Sequence, residues 1–389
     1  MKIILGFMPL LDCVSLVVAA ERGFAAEEGI DLALVRETSW ANIRDRVVIG
    51  HFDAAHMLGP MAVASTLGIG HIKVPLIAPF ALGLGGNAIT VSLGLWDQMA
   101  RAGAAGGSHP SVQGKALKRV LDARRASEPL TFGMVYPFSC HNYELRYWLA
   151  AAGINPDRDV RLVVIPPPFL VDAMRAGQID GFCVGEPWNS VAVHAGAGAI
   201  VAPTTAIWPL SPEKVLGCRL EWAEQHPKQL AALQRALFRA ALWSERPEHH
   251  PDLAKLLAQP RYVGAPAELL RQALASKLAF KPGSTVVDVP DFFVIARRTA
   301  TFPWVSHALW FYSQMVRWRQ VEFQAEHVAA VRATYRPDLY RTAIGPLLSS
   351  TPGLLDIPIP AEDARPERFF DGRTFDPADV RAMTIEGVS

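Results

Sequence analysis

Nowhere in the chain do about 18 apolar residues follow one another without interruption, so no segment reads as a membrane-spanning helix. An excess of either charge is missing as well: 38 basic residues face 37 acidic ones, for a formal net charge of +1. That balance leaves no electrostatic footprint for nucleic acid or for an anionic membrane surface. Cysteine is scarce, with Cys13, Cys140, Cys183 and Cys218 scattered and no CxxC pair. Reduced thiols in a cytoplasm are the simplest reading, though an even count also permits bridges. There is no HExxH helix, no P-loop, no GxSxG elbow, no Rossmann glycine fingerprint after the first strand and no EF-hand calcium loop. The pair His249–His250 lies in a polar turn without a third ligand at a convincing spacing, and surface placement is expected. No metal or cofactor is called for, and a binding protein is expected rather than an enzyme.

What is present is apolar patterning in quantity. Half of the residues (50%) are hydrophobic and 19% are charged, which suits a large core and argues against disorder. At 389 residues the chain exceeds the roughly 250–300 at which single cores stop growing, so two lobes are expected. The N-terminal third alternates strand and helix: strand Lys2–Phe7, helix Cys13–Arg22 closed by Gly23, strand Asp31–Val35, helix Asn42–Ile49 ending at Gly50, strand Phe52–His56. Such alternation implies parallel strands with crossover helices. The opening strand, broken by Pro9 and Asp12, does not read as a secretory signal, and a cytoplasmic location is expected. Leu76–Phe80 reads as a strand leaving the lobe.

A second α/β block starts near Ala88–Leu93 and passes a glycine- and alanine-rich loop at Arg101–Ser111. It continues with strand Thr131–Val135, helix His141–Ala151, strand Val160–Ile165, helix Phe169–Ala176 and strand Gly181–Val184. The chain is expected to turn back toward the first lobe between Ala199 and Ile207. Gln229–Glu245 reads as a long amphipathic helix, and the last third as helix-rich, with a proline-rich stretch at Thr351–Pro360 and a polar tail. The domain reading is lobe I at 1–84, lobe II at 85–203, a return to lobe I at 204–260, and a helical extension at 261–389 packed on lobe I. In that extension Trp304, Trp310 and Trp318 are taken as exposed aromatics available to a partner.

Several stretches resemble the nitrate- and bicarbonate-binding proteins of ABC importers, the NrtA/CmpA group with a type II periplasmic-binding-protein fold. They are GFMPLLDC (6–13), AAERGFAAEEGIDLAL (19–34), TSWANIRDRVVIGHFDAAHML (38–58), GNAITVS (86–92), HNYELRYWLAAAGINPDRDV (141–160), VIPPP (164–168), MRAGQIDGFCVGEPWN (174–189), SPEKVLG (211–217) and FPWVSHALWF (302–311). The resemblance implies two α/β lobes around a ligand cleft. Lacking a recognisable signal, the chain is similar within that group to the cytoplasmic nitrate/nitrite sensors of the NasS type. That likeness implies a partner, an ANTAR-domain antiterminator (NasT-like), released when the anion binds. The alternatives are a receptor of an importer for nitrate, nitrite or bicarbonate lacking its signal peptide, and an enzyme related to the pyrimidine-synthesis proteins that share this fold.

Nitrate is planar and singly charged, with acceptor oxygens only, so its site needs one buried cation, neutral N–H donors and a flat apolar wall. Lys214 is the candidate cation, against the usual fate of lysine at the surface. The resemblance favours it, because the matching lysine of nitrate-binding relatives contacts the anion. His141, opening a helix, could donate one N–H beside the free amides of the first turn. Trp40, at a strand-to-helix turn, offers either a wall or ordinary packing between sheet and helix. Asn87 follows two glycines; it is either a turn residue or, as the resemblance implies, an amide ligand from the second lobe. Glu186 is expected to orient Lys214 or His141 rather than touch an anion, and Pro167 to line the pocket passively. His56 reads as a satisfied core histidine. The anion would then bridge Lys214 and Trp40 on one lobe with His141 and Asn87 on the other.

Overall fold

The computed structural model describes residues 1–70, 72–124, 128–350 and 357–384. Two five-stranded sheets carry the fold. In chain order their strands are β1 (Lys2–Phe7), β2 (Asp31–Arg36), β3 (Ala54–Leu58), β4 (Leu76–Ala81) and β5 (Asn87–Ser92). There follow β6 (Thr131–Met134), β7 (Arg161–Val164), β8 (Gly181–Gly185), β9 (Gly198–Pro203) and β10 (Lys214–Arg219). The first sheet has the order β2-β1-β3-β10-β4 and the second β9-β5-β8-β6-β7.

Each sheet has a parallel trio, β2-β1-β3 or β7-β6-β8, joined by helical crossovers. Beside each trio lies one antiparallel strand, and it is the strand by which the chain enters that lobe from the other. Residues 82–86 lead from β4 into β5, and residues 204–213 lead from β9 back to β10. The expected return begins a little late: Ala199 and its neighbours through Pro203 still pair with β5, because the apolar run there completes the edge of the second sheet. The two α/β lobes with a cleft between them, and the helix-rich extension, are as the sequence led one to expect.

Seven helices matter below: α1 (Val14–Glu21), α2 (Trp40–Val48), α3 (Gly59–Leu67), α4 (Cys140–Ala151), α5 (Pro227–Ser244), α6 (Val305–Arg317) and α7 (Ala325–Thr334). Gly23, with φ of 84°, ends the first of them in the left-handed conformation that glycine adopts without penalty. α1 packs against α5, and both α6 and α7 pack on α3. The loop Arg101–Ser111 links two helices absent from the sequence reading, Leu93–Arg101 and Pro110–Ala123.

The C-terminal extension departs from expectation in its aromatics. Trp304 and Trp310 are 6% and 1% exposed, so they are core rather than partner surface. Every residue of α6 from Val305 to Met315 is buried, so the helix is covered all round. Trp318 is half-buried under Arg146 and Arg317, whose guanidinium carbons lie 5.3 and 4.9 Å from its ring. His250 is buried as well, while His249 stacks on Trp243 at 3.9 Å, so the pair is not a surface feature. In the proline-rich stretch, residues 351–356 lie outside the described residues. Beyond it, Glu367–Arg368 pairs with Thr374–Phe375 in a hairpin that reaches across to the second lobe. There Phe369 packs 4.8 Å from the Tyr147 ring and 5.0 Å from Trp208, and Phe370 N–H donates to Ile207.

Among the described residues no helix is long and apolar enough to cross a membrane.

Candidate functional site

The start of β10 is where the second crossover re-enters the first sheet, and its opening residue is Lys214. The backbone is pinned on both sides: Gly59 N–H donates to the Glu213 carbonyl (3.3 Å) and Leu82 N–H to the Lys214 carbonyl (2.9 Å). The lysine side chain has no exposed surface. Its Nζ lies 2.7 Å from Asp12 Oδ2 and in direct contact with the Glu213 carboxylate. A buried ammonium survives only with such partners, because desolvating an unpaired charge is prohibitive.

Asp12 follows β1 in the short turn Leu11–Cys13. Its Oδ1 is 3.0 Å from His56 Nε2, and His56 Nδ1 accepts from Met8 N–H (3.3 Å), an arrangement that places the ring proton toward the aspartate. Burial works to raise the Asp12 carboxyl, but the charge of Lys214 and the contact with His56 prevail and hold it well below the usual carboxylate range. Burial pushes His56 down, so the ring is neutral near pH 7. It is a core histidine whose Nε2 faces Asp12.

Trp40 is the first residue of α2, whose cap is Ser39, accepting from Ala41 N–H at 3.2 Å. The indole is 1% exposed, stands edge-on to His56 at 5.5 Å and has Lys214 Nζ 5.8 Å from its ring. It therefore faces the cluster and also packs in the core.

The second lobe reaches the same lysine from the other side. Asn87 opens β5 after Gly85 and Gly86, whose φ values of 70° and 83° bring the chain round without Cβ strain. Its Nδ2 donates to Glu213 Oε1 and, at 3.3 Å, to Glu144 Oε2. His141, the second residue of α4, has its Nε2 3.5 Å from Glu213 Oε1. Burial and the charge of Lys214 hold His141 well below its ordinary value, so it too is neutral. Glu144, one turn further along α4, is pushed up to about 8 by burial and carries its proton near neutrality. Several buried atoms of this cluster have no hydrogen-bond partner among the described residues: both ring nitrogens of His141, the indole nitrogen of Trp40 and Asn87 Oδ1. Buried polar atoms are seldom left so, and a run of them around one lysine marks a place for a polar guest.

The structure thus brings together Lys214, His141, Asn87 and Trp40 from both lobes. Glu186 does not take the orienting role expected of it. Its carboxylate accepts from Ser190 N–H (3.3 Å) at the start of the following helix, and burial pushes it up to about 7. Its backbone N–H donates to Gly86 within the second lobe, and its carbonyl links the lobes by accepting from Leu11 N–H, both at 2.8 Å. Pro167 opens a turn after β7, at the edge of the second sheet, and none of the polar contacts of the cluster includes it. The sequence reading missed Asp12, Glu213 and Glu144. Asp12 had left a signal, being a carboxylate inside an apolar run, and Glu213 another, standing directly before the lysine.

The cleft is shut in this structure. Besides the Leu11–Glu186 bond, Trp188 Nε1 donates to the Pro9 carbonyl (3.1 Å) and Arg44 Nη1 to Tyr136 Oη (2.6 Å). A cavity of about 480 Å³ lined by Lys118, Asp122, Arg124 and Arg158 shares no residue with the cluster.

The sequence profile of the NMT1-like family matches residues 1–258. The nitrate import ATP-binding protein NrtC of Synechocystis is 36% identical over 389 residues, covering 98% of this chain and 55% of that protein. The bicarbonate transport ATP-binding protein CmpC of the same organism is 37% identical over 341 residues, covering 87% of this chain and 49% of its own length. The chain thus spans about half the length of these relatives. The crystal structure of the periplasmic nitrate-binding protein NrtA from Synechocystis superposes with a TM-score of 0.89 at 28% identity, covering 98% of this chain and 97% of that one.

Proposed function

The chain belongs to the NMT1-like family, with a periplasmic-binding-protein fold, and on that premise we propose that it is a receptor that closes on one small oxoanion: nitrate, nitrite or bicarbonate. The observation that carries the reading is Lys214, a fully buried ammonium beside which the indole nitrogen of Trp40 from one lobe and the ring nitrogens of His141 from the other have no hydrogen-bond partner among the described residues. One cation with neutral N–H groups suits a monoanion, whereas phosphate or sulfate would call for more positive charge. The names of the relatives, two import or transport proteins and a nitrate-binding protein, support this ligand class.

Closure follows from where the donors stand. Lys214 and Trp40 belong to the first lobe and His141 and Asn87 to the second, so the full set exists only when the lobes meet. An anion that touches all four prefers the closed form by the difference in contacts, and only by that difference. The apolar wall and the absence of bulk water strengthen each charged contact.

The relatives reported above are named for import or binding, so the importer receptor takes precedence over the cytoplasmic sensor holding an ANTAR-domain antiterminator. Calorimetry with nitrate, nitrite and bicarbonate, on the native chain and on Lys214→Ala, tests the proposal. Saturable binding of at least one anion that disappears in the variant is expected. Heat from none of the three, with the native chain folded, would overturn it.

A further inference from the structure

Three of the four groups assigned to the ligand already face an anion, and it is part of the chain. Lys214 Nζ touches Glu213 Oε2, Asn87 Nδ2 donates to Glu213 Oε1, and His141 Nε2 is 3.5 Å from the same Oε1. The Glu213 side chain is 1% exposed, so these contacts are made away from water. A carboxylate is planar, singly charged and presents two equivalent acceptor oxygens. Nitrite, bicarbonate and two of the three oxygens of nitrate offer the same outline to a donor. Lys214 also keeps its bond to Asp12, so the ammonium faces two carboxylates at once. A third anion added there would leave buried negative charge without a counter-ion, at heavy cost.

We infer that Glu213 is an internal stand-in for the ligand: its carboxylate fills the anion's place on Lys214, Asn87 and His141 in the empty site and must leave that place for the ligand to enter. The inference rests on the reading of this cleft as an anion site. It adds a competitor covalently tied to its own target, beside the lysine it occupies, so that the measured affinity is the intrinsic one reduced by the fraction of molecules in which Glu213 has swung away. Asp12 is a different kind of partner. It is held by His56 on its other oxygen and stays with the lysine as a permanent neutralising charge.

The test is anion titration of Glu213→Gln and Glu213→Ala beside the native chain, with nitrate, nitrite, bicarbonate and formate. The glutamine is isosteric and keeps the packing if the alanine does not fold, and thermal unfolding of each variant reports on that. If the competent fraction of the native chain is about one in ten, both variants bind the cognate anion about tenfold tighter. In Glu213→Ala, formate should occupy the vacated place and compete with the cognate anion, an effect that loss of a merely structural residue would not produce. Affinity unchanged or weaker in both folded variants, with the native chain binding normally, overturns it and leaves the receptor reading intact. Silence of all three folded chains toward every anion overturns both.

Discussion

Two regions of this molecule bury charge, one beneath the cleft and one beneath the C-terminal hairpin, and they finish the job to different degrees. Under the hairpin, Glu367 is surrounded: Trp208 Nε1 donates to Oε2, and Ser306 Oγ and Arg365 Nε donate to Oε1, each at 3.2 Å. His307 Nε2 stands 3.5 Å from the same Oε1. Burial works to raise this carboxyl, yet His307, Arg365 and Trp208 prevail and hold it below the ordinary value. In the cleft, Glu144 and Glu186 are as deeply buried, and there burial wins, with values of about 8 and about 7. The same side chain is driven in opposite directions according to whether its surroundings supply enough donors. A carboxylate ringed by donors serves stability; carboxyls left short of them keep capacity for something that arrives from outside.

The comparison breaks first at Lys214. Replacing it by methionine leaves Asp12 and Glu213 buried without their cation, and removing one partner of a buried pair costs about 3–5 kcal/mol. Urea unfolding should register that loss, and anion binding should vanish with it. Near-native stability in this variant would mean that the cluster is less dry than its geometry says.

Next comes pH. Glu144 keeps its proton to about 8 in the folded chain, against 4.5 ordinarily, so the unfolded state sheds its proton first. Stability should therefore fall as pH rises between those two values, by an amount of order 5 kcal/mol, and level off above them. Glu144→Gln should remove most of that slope, leaving the smaller part due to Glu186, which acts in the same direction. A slope unaltered by the substitution would place its origin elsewhere.

Glu367→Gln should cost less, about 1–3 kcal/mol at neutral pH, because hydrogen bonds to a charged acceptor are lost while the shape is kept. Here the sign is reversed. A depressed carboxyl contributes stability above its ordinary range and loses it as acid protonates it, so this variant should flatten the acid side of the profile. Saturating anion sharpens the contrast: at about 100 times Kd it should stabilise both the native chain and Glu367→Gln by about 2.7 kcal/mol, and Lys214→Met not at all. The smallest effect is expected at the rim. Tyr136→Phe removes the partner of Arg44 across the cleft, a part-buried hydrogen bond worth about 1 kcal/mol, and should show as faster anion release.

The architecture was legible because it rests on local signals. A short apolar run in β1, helical spacing in α5 and glycine after α1 each declare an element within a few residues. The extent of the cleft cluster was not legible, since it is assembled from distant parts: Lys214 and Asp12 are 202 positions apart, and Asn87 and Glu213 126. A carboxylate in an apolar run or next to a lysine looks like a turn or a solvated pair until the fold buries it. The aromatics of α6 failed for a related reason. Trp304 and Trp310 come from a segment assumed to lie outside, yet the hairpin that follows them covers it and brings Phe369 to within 5.7 Å of the Trp310 ring.

The antiparallel strand β10 has a consequence for synthesis. Every strand of the second sheet lies between Asn87 and Pro203, so that sheet can close as soon as those residues have left the ribosome. The first sheet cannot. Among the described residues its strand β4 pairs within the sheet with β10 alone, and β10 is made more than a hundred residues later, so the half of the protein begun first is completed last. Until then β3 and β4 present unpaired edges, which are templates for mispairing, and the nascent chain needs its neighbours kept away for as long as translation takes to reach Arg219.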